Sequence, residues 1–297
     1  MSSAKSAFWV HHPVLDQSAA AFADATLAFH REVGGDFLKI TPSGTWMTVG
    51  HGAVDEVWPD DVIGRRRVTS SALGAWGDLR RWTLDDLPEQ VAVQLEATER
   101  IVDGAGDTPV VATLFNPFTQ AFQLAGPERF AADRLTLDFN EGLAIITDNT
   151  RLVLEAMIDR GIAGLYLATH LMQPALCPPD EYVAGASDAV LLNAAVAAGL
   201  GPVIFHLHGP AVTPTLSPEL APEVILHLES GAAEVTDRAV WTGVPLDELR
   251  TCQTRADLDA LREKHHVAPE ATLTAGCCVT LDVPRPEIAT WTSPLNP

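Results

Sequence analysis

Two histidines and a distant cysteine are the residues whose types and spacing best suit chemistry in this chain. His206 and His208 lie two positions apart in the apolar run PVIFHLH. Residues two apart on a strand point to the same face, so both imidazoles would converge. Cys277 ends another apolar run, TLTAGC. Two imidazoles and one thiolate with an open fourth position are typical of a catalytic zinc site, and the soft sulfur favours zinc over magnesium or calcium.

The spacing alone leaves a plainer interpretation open. In it, both histidines are hydrogen-bonded pocket residues and Cys277 is a small buried apolar residue. Cys278 would replace Cys277 as the ligand if the strand register moved by one residue.

Three further polar residues near strand ends are candidates for substrate contact: Lys39, Asn116 and His170. Lys39 could instead form an ion pair inside the fold, and Asn116 could instead cap the helix that follows it. The basic run at residues 65–67 is a candidate for binding an anion, although a solvated loop is the commoner role of such a run.

The elements that must position these side chains alternate between strand and helix. Seven apolar runs predict buried strands at residues 36–40, 108–115, 162–169, 202–208, 223–228, 237–241 and 272–277, and one more strand is expected in the less regular segment 46–82. Helices are predicted at about 16–33, 84–102, 127–158 (as two helices), 179–198 and 254–265. This alternation predicts an α/β fold, a (β/α)8 TIM barrel, with reactive residues at the carboxyl ends of its strands. Residues 1–15 are then an N-terminal extension, and residues 16–297 form a single domain.

Composition excludes several function classes. The 297 residues include 19 Lys and Arg against 39 Asp and Glu, a net charge of −20. Such a surface repels nucleic acid and anionic membranes. The four cysteines lack the spacing of a disulfide framework, no apolar run is long enough to cross a membrane, and no signal peptide is visible. We therefore expect a cytoplasmic protein that acts on a small molecule.

Five segments, taken in order, resemble the uroporphyrinogen decarboxylase superfamily. They are GGDFLKITPSG (34–44), RGIAGLYLAT (160–169), VIFHLHG (203–209), TGVPLDELR (242–250) and AGCCVTLDVP (275–284). The third is similar to the H-x-C-G strand of the corrinoid/coenzyme M methyltransferase branch. The resemblance extends from about residue 20 to about residue 290. No single segment identifies the family, but the five segments in this order are fairly specific to it.

The resemblance to that branch implies a TIM barrel, frequently a homodimer, with zinc held by His, Cys and Cys. This zinc activates a thiol for transfer of an alkyl group, which a corrinoid on a partner protein can carry. His206 and Cys277 match the first and last ligands, and His208 stands where that branch has cysteine. The N-terminal R-Q-A-G-R segment of the true decarboxylases is absent, and Gly276-Cys277-Cys278 replaces their G-H-G.

The leading hypothesis is therefore a zinc-dependent methyl- or alkyltransferase with His206, His208 and Cys277 as ligands. The alternative is a decarboxylase acting on a small carboxylic acid, with the histidine pair as general acid and base. A third hypothesis is a subunit without activity that docks a corrinoid carrier.

Overall fold

A curled sheet of six parallel strands forms the centre of the molecule. The computed structural model describes residues 5–209, 211–229 and 238–292. The strands are β1 Leu38–Lys39, β4 Val110–Phe115, β5 Gly164–Thr169, β6 Val203–Leu207, β7 Ile225–Leu228 and β8 Val240–Thr242. Across the sheet their order is β1-β4-β5-β6-β7-β8. Because all six run in the same direction, their carboxyl ends meet at one edge of the sheet.

Helices cover the outside of the sheet, and most of them follow a strand. Every residue of β4, β5 and β6 is buried, as expected for parallel strands covered on both faces. The helices are α1 Ala19–Val33, α2 Trp46–Gly50, α3 Glu89–Gly104, α4 Pro117–Asp133, α5 Leu137–Asp159, α6 Gly185–Ala197, α7 Leu246–Leu249, α8 Arg255–Lys264 and α9 Arg285–Thr292. Side chains cap four of them: Ser18, Asn116, Thr136 and Thr254 each accept a hydrogen bond from a backbone N–H of the first turn.

The prediction of eight barrel strands is confirmed in part. The sheet has six regular strands among the described residues, and isolated parallel bridges continue it. Val244, just after β8, pairs with Ala275, and Leu273 pairs with Ser6. The carbonyl of Ser6 in turn accepts a hydrogen bond from the backbone of Asp36, just before β1. The regular ladder is therefore absent where the first and last segments of the described chain meet.

Two predicted strands differ from the structure. Residues 272–277 form only the two bridges and no strand, because Gly276 and the cysteines leave the extended pairing after Ala275. Segment 46–82 does not supply a barrel strand. It contains helix α2 and an antiparallel hairpin, β2 Ala53–Val57 and β3 Arg66–Ser71, which forms a separate sheet. Asp237, where the predicted strand 237–241 begins, lies outside the described residues.

The N-terminal segment packs into the fold. Ala7, Phe8 and Trp9 are at most 5% exposed, and they join the apolar cluster that contains the end of the described chain, including Trp291. No helix among the described residues combines the length and the apolar character that a membrane crossing requires.

Candidate metal centre

His206 is the most deeply buried member of the predicted ligand set. It lies on β6, where its strand neighbours are Ala168 on β5 and His227 on β7. The residue is 2% exposed, and neither ring nitrogen has a hydrogen-bond partner in the described protein. A buried imidazole with no partner is costly, so its nitrogens are suited to a ligand held in the adjacent cavity.

Four side chains converge at this point. One ligand atom from each of His206, His208, Glu229 and Cys277 lies within 4.8 Å of every other. Glu229 Oε1 pairs with Nδ1 of His208 and lies 3.6 Å from Nε2 of His206. Two imidazoles, one thiol and one carboxylate form a donor set that zinc commonly binds. The structure therefore brings together all three predicted ligands and adds a fourth candidate.

A close backbone approach positions Cys277 beside Glu229. A Cβ atom at Gly276 would lie 2.7 Å from the backbone oxygen of Glu229, closer than any side chain permits. Only glycine allows the segment before Cys277 to lie directly against the end of β7.

The charges in the cluster reinforce one another. Burial would lower the pKa of His208, but Cys277 and Glu229 beside it outweigh burial and raise that pKa to about 10. Burial would raise the pKa of Glu229, but the imidazoles of His206 and His208 hold it well below its ordinary value. The contact with Cys278, together with burial, raises the pKa of Cys277 to about 12. Cys277 is thus a protonated thiol at neutral pH, and because zinc binds cysteine as the thiolate, a zinc ion bound here would have to displace that proton.

Buried aromatic rings and a hydrogen-bond chain support the cluster. The His206 ring packs against both Tyr166, at 5.1 Å between centroids, and His227, at 4.9 Å. The Tyr166 hydroxyl is 2.8 Å from Nδ1 of His227, and Nε2 of His227 is 2.9 Å from Oγ1 of Thr274. This chain of hydrogen bonds links β5 and β7 to the segment that carries Cys277.

The cluster opens into a cavity of about 400 Å³. His206, His208, Cys277 and Cys278 are among its lining residues, together with Lys39 and His170. The His170 ring lies 4.4 Å from that of His208, and burial, then the neighbouring histidines, lowers its pKa well below the ordinary value. Two of the three predicted substrate-contact residues thus face the same space as the candidate metal ligands.

Asn116 lies elsewhere. It is not among the residues that line the cavity. Its side-chain oxygen caps α4 by accepting from the backbone of Thr119, and its amide donates to Tyr182 and Asp188. The contacts of Asn116 therefore match the alternative that the sequence left open, a cap at the start of the next helix.

The basic run sits at the cavity rim, on and just before β3. Arg65 pairs with Asp61, Arg66 with Asp55 and Arg67 with Glu56, so each guanidinium already has a carboxylate partner. Local ion pairing therefore accounts for this run.

Glu229 and Trp9 are the site residues that sequence reasoning missed. Glu229 directly follows β7, just as His208 directly follows β6. The rule that places reactive residues at strand ends could have found it, because the predicted strand 223–228 ends immediately before it. Trp9 lines the cavity from a segment that the sequence assigned to an extension.

Solved structures of other proteins share this fold. No family model matches the chain, and no curated protein does either. A solved methyltransferase from Methanosarcina mazei superposes with a TM-score of 0.74 at 17% identity, covering 98% of this chain and 93% of that one. A B12-independent methionine synthase from a Shewanella species has a TM-score of 0.56 at 13% identity, covering 97% of this chain and 95% of that one. This chain shares the fold of both enzymes. The resemblance inferred from the sequence is confirmed at the level of the fold.

Proposed function

We propose that this protein is a zinc-dependent methyl- or alkyltransferase that delivers the group to a thiol of a small-molecule substrate. The observation that carries the proposal is the cluster of ligand atoms from His206, His208, Glu229 and Cys277, all within 4.8 Å of one another. The fold shared with two enzymes named for methyl transfer or methionine synthesis supports the same conclusion.

The residues fit a zinc ion by their chemistry. His206 offers buried nitrogens without a protein partner, and Cys277 offers the soft ligand. Glu229 would serve in one of two ways: as the fourth ligand, or as the carboxylate that orients His208 through Nδ1. Zinc in this site would supply a Lewis acid that lowers the pKa of a bound thiol.

The protein's part in the reaction is to hold and orient the two reactants. The cavity would bring the acceptor sulfur against the cluster, with Lys39 and His170 in contact with the rest of the substrate. As the thiol loses its proton, a sulfur–carbon bond forms and the bond from that carbon to its donor breaks, leaving the electron pair on the donor. The donor would be a small molecule or a corrinoid carried by a partner protein.

A closed barrel would bring the proposed ligands together. We infer that the segments around Leu273 and Ser6 complete the six strands as a TIM barrel, so that Cys277 reaches the carboxyl ends of β6 and β7. The cytoplasmic location and the homodimer stay predictions.

The first prediction concerns the metal itself. Untagged protein loaded with zinc and then dialysed should retain about one zinc ion per chain, measured by elemental analysis. Cys277→Ser should lose most of this zinc, since it removes the only soft ligand of the set.

Cys278→Ser is the matched control, because the two sulfurs are adjacent, at 3.8 Å, and both line the cavity. It should retain zinc as the wild type does. Full zinc retention by Cys277→Ser would contradict the assignment of this ligand, and loss in Cys278→Ser alone would transfer the role to the neighbour.

One observation favours the decarboxylase alternative as a second candidate. A buried cation, Lys39, faces the cavity and could hold a carboxylate beside the histidines. Release of CO2 from a small acid by zinc-free protein would support this candidate over alkyl transfer.

A further inference from the structure

Two adjacent cysteines near the end of the chain lie on the same side of the backbone. In an extended strand consecutive side chains point to opposite faces, which would separate the two sulfurs. Here the chain bends at Gly276 and Cys277, and the Sγ atoms of Cys277 and Cys278 are 3.8 Å apart. Both side chains line the cavity. The bend therefore presents two neighbouring thiols to the same space.

The backbone is anchored on both sides of this pair. Before the pair, Ala275 forms a parallel bridge with Val244, whose N–H donates to the carbonyl of Thr274. After the pair, the N–H of Val279 donates to the carbonyl of Trp9 at 2.9 Å. These contacts fix the bend, so the two sulfurs stay close together in the folded protein.

The pair is also the accessible part of the cysteine content. Cys177 and Cys252 are buried, at 1% and 7% exposed, whereas Cys277 and Cys278 are partly exposed and face the cavity. The oxidation of cysteine side chains follows their exposure. A small oxidant that enters the cavity therefore reaches these two thiols before the other two.

The proposed metal site uses one of the two sulfurs. Cys277 belongs to the cluster of candidate ligands among the described residues, and Cys278 does not. Cys278 is thus a thiol beside a ligand sulfur, without a part in the proposed alkyl transfer. Redox-sensing cysteines commonly have this arrangement, in which a second thiol resolves the oxidised form of the first.

We propose that Cys277 and Cys278 are a peroxide-sensitive modification site, in which oxidation joins them in a vicinal disulfide and deprives the metal site of its sulfur ligand. The disulfide itself goes beyond the proposed function, whereas its effect on zinc rests on that function. Zinc binds cysteine as the thiolate, so the disulfide and the bound metal exclude each other.

The oxidation balances with one molecule of hydrogen peroxide. One thiol takes an oxygen atom from the peroxide and becomes a sulfenic acid, and water is released. The second thiol attacks the oxidised sulfur, the S–S bond forms, and the hydroxyl leaves as a second water. The two sulfurs together lose two electrons, which reduce the peroxide.

The adjacency of the two residues makes their disulfide easy to reduce. Consecutive Cα atoms are about 3.8 Å apart, below the range of about 4.4–6.8 Å that is usual for disulfides. A strained disulfide has a higher reduction potential, so a small dithiol returns both cysteines to the reduced form. The modification is therefore reversible.

Thiol counting and mass spectrometry on the full-length, zinc-free protein test the disulfide. A stoichiometric amount of hydrogen peroxide should lower the thiols of the subsequently denatured chain from four to two. After blocking with iodoacetamide, the peptide that contains both residues should carry no label and be lighter by two hydrogen atoms. Dithiothreitol should restore all four thiols.

Single substitutions separate the vicinal disulfide from other oxidation. Cys278→Ser should form no internal disulfide, and dimedone should trap its Cys277 as the sulfenic acid. Cys252→Ser is the matched control, because Cys252 is buried and does not line the cavity, and its thiols should fall from three to one. Oxidation of Cys177 or Cys252 before the pair, a disulfide-linked dimer, or labelling of both Cys277 and Cys278 after peroxide would overturn the proposal.

The zinc-loaded protein separates this inference from the proposed function. Peroxide should release the bound zinc in step with disulfide formation, measured with a chromophoric chelator, and dithiothreitol with added zinc should reload the site. Disulfide formation in a protein that binds no zinc when reduced would uphold the modification site and overturn the metal site. Full retention of zinc by chains that carry the disulfide would overturn the proposed effect on the metal.

Discussion

The imidazole of His227 shows how a residue outside the proposed ligand set can control the set. It is fully buried, and it links Tyr166 to Thr274, which lies three positions before Cys277. Only isolated bridges pair that segment with its neighbours among the described residues, so these side-chain hydrogen bonds add a restraint to it.

Thr274→Val keeps the volume of the side chain, but it should still lower both the stability of the protein and its affinity for zinc. The valine leaves Nε2 of His227 without a partner, which costs about 1–3 kcal/mol of unfolding free energy. Zinc affinity should also fall by about 10- to 100-fold, as is usual when a supporting hydrogen bond is removed. Competition with a chromophoric chelator measures the affinity, and urea titration measures the stability.

Thr272→Val serves as the control for this change. Thr272 is buried in the same segment, and its hydroxyl forms no side-chain hydrogen bond within the described chain. Zinc affinity equal in the Thr274 and Thr272 variants would show that the chain of hydrogen bonds does not position Cys277.

Residue types and strand-end positions were sufficient to predict that His206, His208 and Cys277 come together. They were not sufficient for Glu229, whose contribution depends on the register between β6 and β7. Nor could the sequence show that Lys39 has no carboxylate partner among the described residues, because that depends on every neighbour of Lys39 in the fold.

At the scale of elements, a buried carboxylate joins α6 to the start of α4. Asp188 accepts hydrogen bonds from Asn116 at 3.0 Å and from the Tyr182 hydroxyl at 2.6 Å. Burial outweighs both bonds and raises the pKa of Asp188 to about 7.

This carboxylate predicts a pH-dependent stability. The folded state keeps the proton of Asp188 up to about pH 7, whereas the unfolded chain releases it near pH 4. The stability that this group contributes is therefore present below pH 4 and is lost as the pH rises through 7. Asp188→Asn should unfold like the wild type at pH 4 and be more stable at pH 8, by at most about 4 kcal/mol. Urea titrations across this range measure the difference, and a constant difference at every pH would refute the assignment.

The helices and the long strands were predictable because their apolar patterns extend over many residues. The segment 46–82 was not, because its short hairpin is half exposed and pairs only with itself. The segment 272–277 has the composition of a strand, but its pairing ends at Ala275, and the next residue, Gly276, lies directly against the backbone of Glu229. In both cases a local requirement near the cavity overrode the general pattern.

At the scale of the whole molecule, the N-terminal segment contributes to both the core and the cavity. Trp9 is 4% exposed, and its ring contacts Phe37, Tyr166 and His227 as well as Lys39. A segment that the sequence assigned to an extension thus takes part in the central packing.

Trp9→Ala should lower the unfolding free energy by about 3–5 kcal/mol, as a large core truncation does. Val14→Ala changes an exposed residue of the same segment and should stay within about 0.5 kcal/mol of the wild type. Urea unfolding monitored by circular dichroism measures both. A loss in Trp9→Ala no larger than in Val14→Ala would mean that the N-terminal segment is dispensable for folding.

The bridge between Ser6 and Leu273 also has a consequence for biosynthesis. The segment around Ser6 is an edge that is made early in translation, but its partner Leu273 is synthesised only about 267 residues later. At roughly 5–20 residues per second, that edge waits on the order of tens of seconds without its partner. The nascent protein would therefore be exposed to aggregation at that edge until the segment around Leu273 has left the ribosome, and Cys277, which follows this segment, would become available for metal only then.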